Sequence, residues 1–299
     1  MRSTLPVRSA LYVSDLDGTL LGPDSLLSGE SSRLLNRVIS LGGLFTYATA
    51  RSFSSSRRAT AALDLQLPVI TYGGTITADP DDGRPTRLQL LDQDVVGHIR
   101  RSCAARIDTE PIWHTYENGQ DWLRWRPERR TAGIDAFVDA RRGDRRLRPI
   151  TDDDPLDPTS VFYVAVLAPR PSLIPLQQAM SRLPDQPAAF LSDDPGTPGL
   201  AWFEVHDAMG TKAHAIRDLA ESIMADRIVV FGNNHNDLPM FEIADERIAV
   251  EDAIPELKAA ATTVIGNSMT NAVAQWILAD HLDRSSDHTT GSPTRTASR

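Results

Sequence analysis

Short, continuously apolar runs, each followed by a helix-like pattern, occupy both ends of this chain and constrain its fold more than any other feature. ALYVS (10–14), LFTYA (44–48) and VITY (69–72) are separated by stretches of helical periodicity, the first carrying Leu34, Leu35, Val38 and Ile39 and the second running over 54–63. The pattern resumes late, with a helix expected over 212–224, a strand over 227–231, a helix over 238–244 and a short strand at 248–250. Strands that are apolar throughout, rather than alternating, belong to a parallel sheet covered on both faces by its crossover helices.

Between 77 and 198 the texture changes. Strand-like IWHTYE, DWLRWR, VFYVAVLA and AAFLS are mixed with helical patterns near 93–105, 133–141 and 173–183. The segment is long enough for its own core. The expected architecture is therefore α/β, a Rossmann-like parallel-sheet core made of 10–76 and 199–282 with an inserted α+β domain over 77–198. In this reading AWFEVH (201–206) leads the chain back to the core. Residues 1–9 and 283–299, polar and rich in Ser, Thr and Arg, are expected to be disordered.

Composition excludes several classes. The net charge of −9 argues against nonspecific nucleic-acid binding, which needs positive charge to neutralise phosphates. The longest apolar run, VFYVAVLA, is strand length and cannot span a bilayer. The N-terminal apolar segment is cut short by Asp15, so no signal peptide is expected. A lone cysteine, Cys103, precludes an internal disulfide and suits a reducing cytoplasm. Only Lys212 and Lys258 are lysines among 31 basic residues, which makes their placement informative. The histidines at 98, 114, 206, 214 and 235 show no zinc-ligand spacing. The arginines at 124, 126, 129 and 130, and at 141, 142, 145, 146 and 148, are interspersed with acids and read as a solvated face, while Trp113, Trp122 and Trp125 read as core of the inserted domain, with an aromatic wall for a sugar as the alternative.

In open α/β sheets ligands bind at the carboxyl ends of the strands, and the first strand ends in Ser14-Asp15-Leu16-Asp17-Gly18-Thr19-Leu20. A calcium loop would need a third ligand at position 19 and glycine at 20, where Thr19 and Leu20 stand. Two carboxylates two residues apart at such an end mark a ligand site, or simply an acidic strand-to-loop turn. The second strand ends in Thr49-Ala50-Arg51-Ser52 directly before a helix; a hydroxyl and free N–H groups there form an anion site, or an ordinary cap. Lys212 opens a helix in Met209-Gly210-Thr211-Lys212 without the glycine spacing of a phosphate-binding loop of the Walker type. A fourth strand ends in Gly232-Asn233-Asn234-His235-Asn236-Asp237, followed by Met240.

Taken together these stretches resemble the four ordered motifs of the haloacid dehalogenase (HAD) superfamily, in its Cof-like (IIB) subfamily with a C2-type cap, and the resemblance covers most of 10–270. The position of the insert supports it: too few residues separate Asp17 from Thr49 to hold a cap there, so the cap falls between the second and third motifs. Tyr72-Gly73-Gly74 resembles the family's turn into the cap. The resemblance implies a magnesium-dependent phosphatase of a small phosphorylated metabolite, a sugar or polyol phosphate, acting through an aspartyl-phosphate. A phosphomutase, or a non-catalytic protein of this fold that binds a phosphorylated ligand or a protein, is the alternative. Asp15 becomes the nucleophile, Asp17 the acid/base and Lys212 the charge balance. Thr49, Ala50, Arg51, Lys212 and Asn236 become phosphate contacts, and Asp15, Asp17, Asn233 and Asp237 the Mg2+ ligands. Asn233 departs from the family pattern, which has aspartate there, and weaker metal binding is expected. Partners follow: a small-molecule substrate, no nucleic acid, no membrane, and a monomer or homodimer in the cytoplasm.

Overall fold

A computed structural model describes residues 9–106, 108–184, 186–194 and 196–290, and divides the chain into two compact units, one of 1–83 with 212–299 and one of 84–211. The first unit begins with β1 (Ala10–Ser14), α1 (Gly29–Ser40), β2 (Leu44–Tyr47), α2 (Phe53–Ala59), β3 (Val69–Thr71) and β4 (Ile76–Ala78). The second holds β5 (Pro85–Leu88), α3 (Gln93–Ala104), β6 (Ile112–Glu117), β7 (Gln120–Arg124), α4 (Ala132–Ala140), β8 (Val161–Ala168), α5 (Arg170–Met180), β9 (Ala188–Asp193) and β10 (Ala201–His206). The chain then completes the first unit with α6 (Lys212–Ser222), β11 (Arg227–Gly232), α7 (Leu238–Glu242), β12 (Glu246–Val250), α8 (Pro255–Ala260), β13 (Thr263–Ile265) and α9 (Ala272–Thr290).

In the first unit five parallel strands lie in the order β13-β12-β11-β1-β2. Every residue of β1 is buried, as are consecutive Val229 to Phe231 of β11. Successive side chains point to opposite faces of a sheet, so both faces are covered, as the unbroken apolar runs require. Helix starts follow capping chemistry: Ser28 accepts from the Ser31 N–H and Ser52 from the Ser55 N–H.

The second unit is an antiparallel sheet of order β7-β6-β8-β10-β9. One face packs Trp113, Val164, Val166, Phe203 and Val205 against Val96 and Ile99 of α3 and Leu173 and Leu176 of α5. The other sets Ile112, Leu123 and Ala165 against Ile134 and Phe137 of α4. The parallel core with an inserted α+β unit is thus the architecture the sequence predicts.

Three expectations are corrected. AWFEVH does not belong to the core: as β10 it sits between β8 and β9 of the second unit, and the compact units change over at 83/84 and 211/212 instead of 76/77 and 198/199. The segment from Asp283 is helical through Thr290, continuing α9, where Arg284 bonds Asp280 one turn back; 291–299 lies outside the described residues, as does 1–8, while Ser9 accepts a backbone bond from Asp226. Arg124 is not on a solvated face. It is fully buried and donates to the carbonyls of Arg148 and Asp154 at 3.0 and 2.9 Å, beside Glu117 and Asp154 carboxylates at 3.3 and 3.2 Å. Those partners satisfy a charge that burial would otherwise penalise. Trp113 lies in the core as expected, and Trp125 packs against the α4 cluster.

Candidate active site

Strand register assembles the site. Ser14 of β1 stands beside Phe231 of β11 and Tyr47 of β2, so the residues that follow each strand emerge together: Asp15, Gly232-Asn233 and Thr49. The Asp15 N–H donates to the Phe231 carbonyl and the Ala48 N–H to the Ser14 carbonyl, both at 2.9 Å, which carries the ladder to the edge of the site. Beyond Asp15 the N–H groups of Thr19, Leu20 and Leu21 all fold back on the Leu16 carbonyl. That tight loop requires Gly18: its φ is +72°, and a Cβ there would stand 2.3 Å from Asn233 Nδ2.

At the centre lies a buried charge cluster. Lys212 Nζ, at the first position of α6, donates to Asp15 Oδ1 at 2.6 Å and to Asp237 Oδ1 at 2.8 Å. The three residues are 3%, 5% and 0% exposed. Asp237 Oδ2 accepts the N–H groups of Asn233 and Asn234 at 2.9 and 3.1 Å. Gly232 lets Asp237 tuck under the loop, since a Cβ there would stand 2.7 Å from Asp237 Cβ. Two carboxylates thus share one ammonium. Burial pushes the Asp15 carboxyl up to about 7 against the opposing pull of Lys212, with the neighbouring charge of Asp237 adding to the rise. Burial alone would lower the Lys212 ammonium; the charges of Asp15 and Asp237 override it and hold the group above its ordinary value.

Asp17 has a different setting. It is exposed, and Arg51 forks onto its two carboxylate oxygens, with Nε to Oδ2 at 2.8 Å. That hydrogen bond raises the Arg51 guanidinium, which is charged in any case. Thr49 is buried, its N–H on the Ile70 carbonyl and its hydroxyl receiving the Arg51 N–H at 3.2 Å. Ala50 is exposed between them, and Asn236 is exposed with no hydrogen bond among the described residues.

The structure therefore brings Asp15, Lys212, Asp237 and the Asn233 backbone into direct contact, and pairs Asp17 with Arg51. Sequence reasoning did not find that Asp237 is already committed on both oxygens, nor that Asn233 packs on Gly18; only the glycine of Asp-Gly-Thr signalled the latter. Among the described residues no group of three or more His, Cys, Asp or Glu side chains converges as a metal site. Oxygen donors for a hard cation are nonetheless present. Asp15 Oδ2 accepts nothing from the described residues, and Asn233 brings an amide oxygen.

The class these features define is an α/β protein with carboxylates gathered at the ends of a parallel sheet and a second domain inserted. The chain belongs to the haloacid dehalogenase-like hydrolases: the model of that family matches residues 12–277. It is 27% identical over 281 residues to the 5-amino-6-(5-phospho-D-ribitylamino)uracil phosphatase YwtE of Bacillus subtilis, covering 88% of this chain and 95% of that one. It is 26% identical over 282 residues to the HMP-PP phosphatase of Cronobacter sakazakii, covering 91% and 97%. Its fold matches a crystal structure of a haloacid dehalogenase-like hydrolase from Bacteroides thetaiotaomicron with a TM-score of 0.71 at 20% identity, covering 90% and 98%. The protein is accordingly an enzyme, a hydrolase of phosphoric monoesters.

Proposed function

We propose that this enzyme is a magnesium-dependent phosphatase of a small sugar or polyol phosphate and that it works through an aspartyl-phosphate on Asp15. The observation that carries the reading is the buried Asp15–Lys212–Asp237 cluster at the strand ends. A carboxylate held there by a single ammonium is a positioned nucleophile, and Asp237 fixes the lysine from behind. One relative's name contains a phosphoribityl group, a polyol phosphate, which supports the substrate class.

In the first step an Asp15 oxygen forms a bond to phosphorus while the bond from phosphorus to the leaving alcohol breaks, and Asp17 gives that alcohol its proton. In the second, Asp17 takes a proton from water, the water oxygen bonds to phosphorus, and the bond to Asp15 breaks. Lys212 and Arg51 carry the charge of the phosphoryl oxygens, helped by the Thr49 hydroxyl, the Ala50 N–H and the Asn236 amide. Arg51 must leave Asp17 to do so, and the incoming phosphate offers its guanidinium an equivalent anion. Mg2+ would be held by Asp15, the Asp17 carbonyl and Asn233, with Asp237 acting through Lys212 and the loop; it neutralises phosphate charge when bound. Among the described residues no helix is long and apolar enough to cross a membrane, and a single buried thiol fits the cytoplasm.

The test is phosphate release from an aryl phosphate with added magnesium. Wild type is expected to turn over and to stop on chelation, and Asp15→Asn to be inactive. Turnover by Asp15→Asn at the wild-type rate would overturn the reading.

A further inference from the structure

On the α4 side of the antiparallel sheet, a row of rings runs outward to the edge strand β9, and the phosphate chemistry uses none of it. Tyr163 of β8 stacks on His206 of β10, with centroids 5.7 Å apart and planes 10° apart, and His206 stacks on Phe190 of β9 at 5.5 Å and 26°. Strand register explains the row: His206 faces Tyr163, while Glu204, two residues earlier on the same side of β10, faces Phe190. The Tyr163 hydroxyl donates to Glu204 Oε1, and the Glu204 carboxylate takes no other hydrogen bond among the described residues. Phe190 is 50% exposed. His206 Nδ1 lies 2.9 Å from the Asp207 carbonyl, which places the proton on Nδ1 and leaves Nε2 as an acceptor.

A singly exposed phenylalanine is ordinary. Here it ends an ordered column of stacked rings, and its register partner is a half-buried carboxylate with one oxygen unclaimed. Burial also raises the Glu204 carboxyl above its ordinary range, so a partner that donates a hydrogen bond or brings positive charge is favoured there. A plain apolar ring would cover the patch and leave Glu204 desolvated without a donor. An anionic ring would meet the carboxylate, and a saturated amine, although its charge is drawn to a ring face, has no flat face to lay along Phe190. A flat ring bearing amino groups satisfies both features, its face on Phe190 and its N–H on Glu204.

We propose that Phe190, His206, Tyr163 and Glu204 form a binding site for a flat, amino-substituted heteroaromatic ring. The site lies wholly within the second unit and stands apart from the phosphatase reading. It is tested by titrating the full chain with 2,4-diaminopyrimidine, with cyclohexylamine and benzoate as controls, by calorimetry. Saturable binding is expected with a dissociation constant of about 1 mM or tighter, with both controls weaker. Phe190→Ala and Glu204→Gln should each weaken binding about tenfold, and Phe190→Tyr should stay within about threefold of wild type. The unfolding midpoint of each variant establishes that it is folded. Absence of saturable binding by wild type, or Phe190→Ala binding as wild type does, would overturn the assignment. Hydrolysis of glycerol phosphate, which has no ring, reports separately on Asp15.

Discussion

Replacing Lys212 by Met should reveal how strongly the buried Asp15–Lys212–Asp237 cluster is coupled. The ammonium bonds Asp15 at 2.6 Å and Asp237 at 2.8 Å, and all three groups are almost fully buried. Methionine keeps the length of the side chain but leaves two carboxylates facing each other without a counter-charge. Removing one partner of a buried ion pair costs about 3–5 kcal/mol. Asp15, whose carboxyl burial already holds at about 7, can relieve part of this by taking a proton. The lower end of the range, about 3 kcal/mol, is therefore expected, corresponding to a midpoint about 6–12 °C lower for a unit of this size. The assay is thermal and urea unfolding of metal-free protein at neutral pH. Adding Asp15→Asn to Lys212→Met removes the stranded charge and should restore about 1–2 kcal/mol, a coupling expected only of groups in contact. A Lys212→Met protein within about 1 kcal/mol of wild type, or a double variant no better than the single one, would refute the reasoning.

Under the proposed mechanism Asp17→Asn removes the proton carrier while keeping the backbone carbonyl, so kcat should fall about 10²–10⁴-fold; a steady-state kcat within about threefold of wild type would show that another group shuttles the proton. Asn233→Asp restores a negative charge beside the Asp15 loop and should lower the magnesium concentration for half-maximal activity about tenfold to a hundredfold, or about 1–3 kcal/mol; calorimetric Mg2+ binding should tighten in parallel, and an unchanged value would remove Asn233 from the metal site. In the second unit, burial pushes the Glu110 carboxyl up to about 7 against the pull of Arg126 and Arg129. Because the native value lies above the unfolded one, stability is fully present below about pH 4.5 and is lost as pH rises through about 7. Glu110→Gln should therefore raise the urea midpoint relative to wild type at about pH 8 and leave it unchanged at about pH 4.

Much of this was legible in the sequence because the physics is local. ALYVS, IWHTYE and VFYVAVLA become β1, β6 and β8 with the limits read from the apolar runs. The rarity of lysine points to Lys212, which the structure sets on Asp15, and the strand-end rule points to Asp15, Asp17 and Thr49 as candidates. What escaped was non-local. AWFEVH carries the alternation of a half-buried strand, but its partners, β8 and β9, are fixed only by tertiary pairing. The burial of Arg124 depends on Glu117 and on the backbone of 148 and 154, which no local pattern announces. The helix beyond Asp283 reads as a polar tail by composition, although its first turn is tied down by the bonds of Asp280 to Arg284 and Arg227. Nor does motif position announce that the Asp237 oxygens accept from Lys212 and from two backbone N–H groups.

The central claim is that Asp15 becomes phosphorylated. The direct measurement is a rapid acid quench of the enzyme turning over a radiolabelled phosphate ester, followed by peptide mapping. The account predicts a hydroxylamine-labile label on the peptide containing Asp15, formed within a single turnover and missing from Asp15→Asn. Turnover without protein-bound label on that timescale, or label on a peptide lacking Asp15, would contradict it.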